Sequence, residues 1–394
     1  MSANGTILVS KLFAGGYLNE GENVGHEAIN YLPAFNGKKY LFIPNGSDIS
    51  RYKEIDAVLF VRYLGKWGYE VLACAKGPIL PIPLADNIEA GDITFGDLFS
   101  RNTYRSEADK SLGRIWVVDE DNYFVPKKEE FTLPRKVDNH ELVQRVRRYY
   151  SKSNLETGLA SCQNNWYETL RSIIENEDNW EKPQYESMLP VGNAKGGDEL
   201  LTRKSFLEVI HKEYDELVFS NLLAHYFRFT GVVDQFAKEV LGPSISQDGG
   251  EWVVRREYKH IDLWLENSTN IIVIENKIRS GINGLSADGS KSQLDNYIKI
   301  VENESKEHPK NAGFFLFVPD YEKTTISEHV SGTKYTLIPY SKLLTFFKEH
   351  RDLCDDEFVD EFLIGLERHA CKSLSALNWY VMKRRIARLH KERE

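Results

Sequence analysis

Cysteine is scarce in this chain: there are four in 394 residues, Cys74, Cys162, Cys354 and Cys371. None forms a C-x-x-C pair, which argues against a zinc module and a disulfide framework and fits a reducing cytoplasm. Long apolar runs are missing too. No stretch of roughly 18 apolar residues occurs, so no membrane-spanning helix is expected. The opening MSANGTILVSKLF lacks the basic-then-apolar layout of a secretory signal. Net positive charge is also absent, because 50 Lys and Arg face 59 Asp and Glu, a formal balance of −9. Such a chain does not coat nucleic acid by bulk attraction. A local basic patch remains compatible with that total, and acidic clusters that hold a divalent cation contribute to it. Internal repeats and low-complexity segments are absent.

A hydrophobic fraction of 41% is ordinary for a globular protein, and the length suggests two or three domains. Residues 1–137 read as strands and turns. TILVSKLF, KKYLFIP, IDAVLFVRYL, YEVLACAKG and RIWVVDEDNYF are rich in β-branched and aromatic residues, and PNGSD and KGPILPIPLADN punctuate them. GKWG reads as a hairpin connection and VGHEAINYL as a short helix. A β-rich, barrel-like module is expected. From DNHELVQRVRRYYSKS through Leu241 the apolar spacing turns helical, interrupted by the Gly-rich LPVGNAKGGDELLTRK. A strand block follows: EWVVRREYKHIDLWLE, NIIVIENK, AGFFLFVP and YTLIPY, with the helix SKSQLDNYIKIVENE between the second and third. The order helix, strand, strand, helix, strand implies a mixed sheet flanked by helices. The expected fold is therefore mixed α+β and α/β. A recognition or sensor module spans 1–137, a sheet-and-helix domain 138–350, and a helical extension 351–394.

The informative stretch is IDLWLENSTNIIVIENKI, Ile261 to Ile278. Two strand-like apolar runs carry charges where buried strands should have none. In a hairpin joined at NSTN, side chains alternate faces, so Glu275 and Lys277 share one face where the second run ends. The fold-back returns Asp262 toward Glu275. Two carboxylates and the Asn276 backbone carbonyl give a hard oxygen site suited to Mg²⁺ or Mn²⁺. A metal there lowers the pKa of bound water, and Lys277 is placed to orient the attacking water and stabilise a crowded phosphate transition state.

The D-x(12)-E-N-K pattern formed by Asp262, Glu275 and Lys277 resembles the PD-(D/E)xK nuclease superfamily, with Ile261 standing where the family name has Pro. Gln293 and Tyr297 match the Q-x-x-x-Y helix of RecB-like members. DELVFSNLLAHYFR resembles the helix that opens the fold in a bacterial branch, and Glu216 matches its auxiliary acid, with Glu213 one turn earlier as the alternative. The resemblance covers roughly residues 140–350 and implies a restriction-endonuclease-like fold. It further implies metal at Asp262, Glu275, Asn276 and Glu216, water activation by Lys277, and support from Gln293 and Tyr297. A second E-x-K, Glu304 to Lys306, reads as a solvated helix face.

Lys259, His260, Arg279 and Lys291 are candidate phosphate contacts, RSGINGLSADGSKS a candidate backbone-binding loop, and VMKRRIARLHKERE a basic helix. IDAVLFVRYLGKWGYEVLACAKG resembles the strand pair of PUA-like domains, including EVE-type readers of modified bases. The regular β-α alternation of a Rossmann-like nucleotide sensor is missing. The expectation is a cytoplasmic, Mg²⁺- or Mn²⁺-dependent endonuclease acting on DNA, with RNA left open, in restriction or anti-phage defence. Its N-terminal module would choose the target or gate activity through a modified base or nucleotide ligand. A homodimer is the expected assembly for cutting two strands. Alternatives are a nuclease activated by a nucleotide, a non-catalytic nucleic-acid-binding protein on a nuclease scaffold, and a structural partner in a defence complex.

Overall fold

The protein is described from a computed structural model. It describes residues 5–12, 30, 34, 37–44, 55–64, 68–82, 89–90, 93–94, 113–128, 131–137, 140–143, 147–151, 161–184, 205–243, 245, 249–278, 293–306, 309–354 and 356–393. Two compact units divide the chain. One is Met1–Ser187 with Asn378–Glu394, the other Met188–Leu377.

The first unit is built on a mixed sheet. Its strands are β1 (Thr6–Lys11), β2 (Lys38–Pro44), β3 (Ile55–Tyr63), β4 (Tyr69–Ile82), β5 (Gly113–Asp119), β6 (Tyr123–Pro126), β7 (Thr132–Leu133), β8 (Arg147–Ser151) and β9 (Trp180–Glu181). The main path runs β8-β1-β3-β4-β5-β2; β6 and β7 pair with β4, and β9 with β6. β1 and β3 are parallel, whereas β3 and β4 are antiparallel with Tyr63 opposite Tyr69. The expected hairpin connection GKWG has its residues 65–67 outside the described ones, between these two antiparallel strands. Gly68 sits there at φ +100°, and a Cβ would come within 2.1 Å of the Leu133 carbonyl, so only glycine fits.

Period-2 alternation gives this sheet two buried faces. Ile7, Val9, Ala57, Leu59 and Val61 pack with Trp166, Tyr167 and Leu170 of helix α1 (Ser161–Glu175). Leu8, Val58 and Phe60 pack on the other side with Leu41, Ile43 and Trp116. The expected barrel is corrected here: among the described residues β8 and β2 end the path and no ladder closes it. A helix was also expected where β8 lies. RRYYS instead pairs antiparallel with β1, Ile7 opposite Tyr150. The open edge of β1 offers a full ladder to an aromatic, β-favouring segment, and that outweighs local helical spacing. β8 and α1 thus pack on the first unit's sheet. The expected helix VGHEAINYL lies outside the described residues except Asn30.

The C-terminal basic run forms a helix, Leu374–Arg393. Its Arg384 and Arg388 are buried, so these two bases do not lie on an open phosphate-binding face. Among the described residues no helix is long and apolar enough to cross a membrane.

The second unit carries a five-stranded mixed sheet: β10 (Val253–Tyr258), β11 (Ile261–Glu266), β12 (Asn270–Asn276), β13 (Asn311–Val318) and β14 (Tyr335–Pro339), in that order. β10, β11 and β12 are antiparallel neighbours, while β12, β13 and β14 run parallel. The block EWVVRREYKHIDLWLE is two strands rather than one. Tyr258 pairs with Ile261 around a two-residue turn in which Lys259 (φ 57°) and His260 (φ 67°) are both left-handed.

Helices cover both faces. Leu263, Leu265, Ile272, Ile274, Phe315 and Phe317 pack against α2 (Phe206–Val209), α3 (Glu216–Phe227), α4 (Val232–Phe236), α7 (Tyr340–Glu349) and α8 (Val359–His369). Trp264, Ile271, Val273, Phe314 and Leu316 pack against α5 (Gln293–Glu304) and α6 (Lys323–Val330). β12 is buried along its whole length, as a central strand between two helical layers must be.

Candidate active site

Asp262 and Glu275 meet because of the β11–β12 register. Leu263 pairs with Ile274, so the next step along the hairpin sets Asp262 opposite Glu275. The Asn276 backbone N–H donates to Asp262 Oδ2 at 2.8 Å, tying the two strand ends together. Trp264 and Val273 place this face of the hairpin under α5. Alternation turns Asn276 to the opposite face. Lys277 returns to the α5 side, its N–H continuing the ladder to the Phe317 carbonyl.

Glu275 is 1% and Lys277 4% exposed. Lys277 Nζ lies 2.7 Å from Glu275 Oε1, and Glu275 Oε2 is buried with no hydrogen-bond partner among the described residues. Burial, then the Asp262 charge, push the Glu275 carboxyl up to about 7, with Lys277 acting in the opposite direction. Burial also raises Asp262; the Asn276 N–H and Lys277 lower it and Glu216 raises it further. Among the described residues the Lys277 ammonium, with Arg256 acting on Asp262, faces the three carboxylates of Asp262, Glu275 and Glu216. Buried like charges of this kind call for protons or a cation.

Glu216 opens α3, which Asp215 caps by accepting from the Val218 N–H at 3.2 Å. Glu216 Oε1 accepts from the Ile278 N–H at 2.8 Å, so this acid holds the chain just past Lys277. Glu213, the alternative, is buried, and its carbonyl bonds His369. Gln293 and Tyr297 lie on the site face. The Tyr297 hydroxyl donates to the His260 carbonyl and accepts from Gln293 Nε2, each at 2.5 Å. Burial, then the charge of Glu275, raise the phenol to about 12. Gln293 Oε1 is buried without a partner among the described residues.

Asn276 cannot offer its side chain to a ligand. Its Oδ1 accepts from the Tyr340 hydroxyl at 2.7 Å, and its Nδ2 points to the Glu216 carbonyl and Ser220 Oγ at 3.3 and 3.4 Å. Only its backbone carbonyl remains as a metal donor. Lys259 is paired with Glu304 and lies over the Tyr258 ring, while His260 is exposed. Arg279, Lys291 and the RSGINGLSADGSKS loop lie outside the described residues. Arg256, Tyr335 and Tyr340 escaped the sequence reading. The Arg256 charge acts on Asp262. The Tyr335 hydroxyl is buried, unpartnered and raised by burial and by Glu275. Pairing of Phe314 with both Val273 and Tyr335 carries that ring onto the site face, a signal available only once β12, β13 and β14 are aligned.

Among the described residues no group of three or more His, Cys, Asp or Glu side chains forms a ready-made metal cage. The donors that do converge suit a hard divalent cation. They are two carboxylates, one with a buried orphan oxygen, and Mg²⁺ is commonly held by one or two protein carboxylates with waters and phosphate completing its shell.

A family model described as the PD-(D/E)XK nuclease superfamily matches residues 164–364. Comparison with curated proteins and with solved structures finds no match. The family match spans just over half of the 394 residues and contains Asp262, Glu275, Lys277 and both supporting helices, α3 and α5. With its acids and lysine set at the end of one hairpin, the chain belongs to the PD-(D/E)XK nuclease superfamily.

Proposed function

We propose that this protein is a metal-dependent endonuclease that hydrolyses DNA phosphodiester bonds. The observation that carries the reading is the buried Glu275–Lys277 contact opposite Asp262, with Glu275 Oε2 left unpartnered. Asp262, Glu275 and the Asn276 carbonyl would hold Mg²⁺ or Mn²⁺, and Glu216 would act through water or through the chain it anchors. When bound, the cation supplies an acidified water and offsets charge on the phosphate. In hydrolysis water attacks phosphorus, one P–O ester bond breaks, and the leaving oxygen takes up a proton. Lys277 positions the attacking water and stabilises the added negative charge. Glu275 orients the Lys277 ammonium at 2.7 Å. Gln293 and Tyr297 hold the turn that leads into Asp262.

The N-terminal unit, residues 1–137 in its β-rich part, would select the target or gate activity. The antiparallel β3–β4 pair lies where the chain resembles PUA-like readers. A nuclease whose metal site carries no evident sequence reader needs such a gate, which supports a role in restriction or anti-phage defence. The test is cleavage of plain and cytosine-modified plasmid by the full chain with Mg²⁺, Mn²⁺ or EDTA. Metal-dependent cutting is expected, with modified DNA preferred if the N-terminal unit is a base reader. Binding without cutting of DNA or RNA under every metal condition would contradict the enzyme reading.

A further inference from the structure

We propose that Tyr340 and Asn276 form a positioning device, a buried hydrogen-bonded pair that sets the orientation of Asp262, Glu275 and Lys277 toward the metal. The proposal rests on the metal-dependent reading above. Both side chains are engaged inside the core, so they act from behind, through the Asn276 backbone and the neighbouring site residues.

Asn276 is 0% exposed on a face otherwise made of Ile272, Ile274, Leu263 and Leu265. An amide is unfavourable in such a place unless its polar atoms are satisfied. Here two elements satisfy the amide and a third takes the backbone N–H. Tyr340, at the start of α7, donates to Oδ1; the Glu216 carbonyl and Ser220 Oγ of α3 face Nδ2; and the backbone N–H reaches Asp262 Oδ2 on β11. A leucine would fill a similar volume with no such demands. What the amide adds is a tether from the residue between Glu275 and Lys277 to α3 and α7.

Tyr340 is itself held. Its buried ring meets Phe219 and His369 edge-on, with centroids 6.0 and 5.2 Å apart. His369 is fixed at both nitrogens, Nε2 against the Glu213 carbonyl at 2.8 Å and Nδ1 against the Tyr321 hydroxyl at 2.9 Å. A carbonyl only accepts, so Nε2 carries the proton and Nδ1 accepts from Tyr321. The ring behind Tyr340 therefore has one orientation. On the other flank, Glu216 Oε1 takes the Ile278 N–H. Residues 276–278 are thus stapled to α3 twice and to α7 once. Releasing Asn276 would loosen the strand end that carries Glu275 and Lys277 on its other face. Groups that orient metal ligands from behind typically change metal affinity or activity by about 10–100-fold when removed.

The test uses the full chain as wild type, Tyr340→Phe, and the double variant Asn276→Leu with Tyr340→Phe. Mn²⁺ affinity is measured by calorimetry without nucleic acid, beside single-turnover cleavage and thermal melting. The expected result is a loss of about 10–100-fold in Mn²⁺ affinity and cleavage rate for both variants. The double variant, which removes the polar demands of the pair together, should melt closer to wild type than Tyr340→Phe does. Where Tyr340→Phe does not fold, the apolar double variant carries the comparison. A double variant that binds Mn²⁺ as wild type does would overturn the proposal, since the pair would then only fill the core. Wild type that binds Mn²⁺ but cuts no DNA removes the nuclease reading and leaves the affinities to decide the pair. Wild type that binds no Mn²⁺ overturns both.

Discussion

The Tyr297 hydroxyl bonds the carbonyl of His260, the second of two successive left-handed residues in the turn that leads into Asp262. Non-glycine residues in this conformation store strain, and neither Lys259 nor His260 is a residue that turn would select locally. The helix α5 therefore does more than cover the site: through Tyr297 it holds the approach to the first acid. Tyr297→Phe should lower the cleavage rate by about 10–100-fold, because small misplacements of reacting groups cost that much. DNA affinity, measured by titration, should change little. An unchanged rate would show that the turn holds itself.

Glu275 and Asp262 are both pushed above their ordinary range, Glu275 to about 7 from 4.5. A folded state that holds such protons more tightly than the unfolded chain gains stability below about pH 4.5 and loses it as pH rises toward 7. In EDTA, the melting temperature of wild type relative to Glu275→Gln should therefore fall between pH 4.5 and 7. Added Mg²⁺ should restore more at pH 7 than at pH 5.5, because it replaces a proton that is already leaving. A wild-type-minus-variant difference that is flat with pH would contradict the burial argument.

Arg368 and Glu208 form an ion pair at 2.6 Å with both side chains 1% exposed, joining α8 to the short helix α2. Glu208 also completes the capping box with Ser205. Removing one partner of such a pair leaves a buried charge and costs about 3–5 kcal/mol. Glu208→Ala should show that loss in urea unfolding. A cost below about 1 kcal/mol, the range of exposed pairs, would mean that water reaches the pair.

The Tyr335 hydroxyl is buried and has no hydrogen-bond partner among the described residues. Tyr335→Phe removes a desolvated polar group that no bond compensates, so stability should hold or rise by up to about 1–3 kcal/mol. A loss of that size in thermal or urea unfolding would show that the hydroxyl is bonded in solution.

Much of the site was legible in sequence because the hairpin spacing alone places Asp262, Glu275 and Lys277. Charges at the ends of apolar strands are hard to explain as packing. The Q-x-x-x-Y spacing likewise put Gln293 and Tyr297 on one helix face. Tyr340, Tyr335 and Ser220 were not legible, since each reaches the site through strand order or helix packing that no local pattern encodes. The β10–β11 turn was hidden because Lys259 and His260 carry no glycine or asparagine signal. β8 was misread because Val143, Val146 and Tyr150 fall at helical spacing, and only the open edge of β1 makes the segment a strand. The barrel was an overreach from β content: many short strands do not say whether a sheet closes.

The most direct measurement is single-turnover plasmid cleavage in Mg²⁺ by Lys277→Ala beside wild type, with folding of both checked by melting. The Lys277 ammonium contacts the buried Glu275 carboxylate at 2.7 Å. Loss of a charge-stabilising donor costs about 10²–10³ in rate. The account predicts a loss of at least that size in a folded variant. A folded Lys277→Ala protein that cuts at the wild-type rate would place the chemistry elsewhere in the chain.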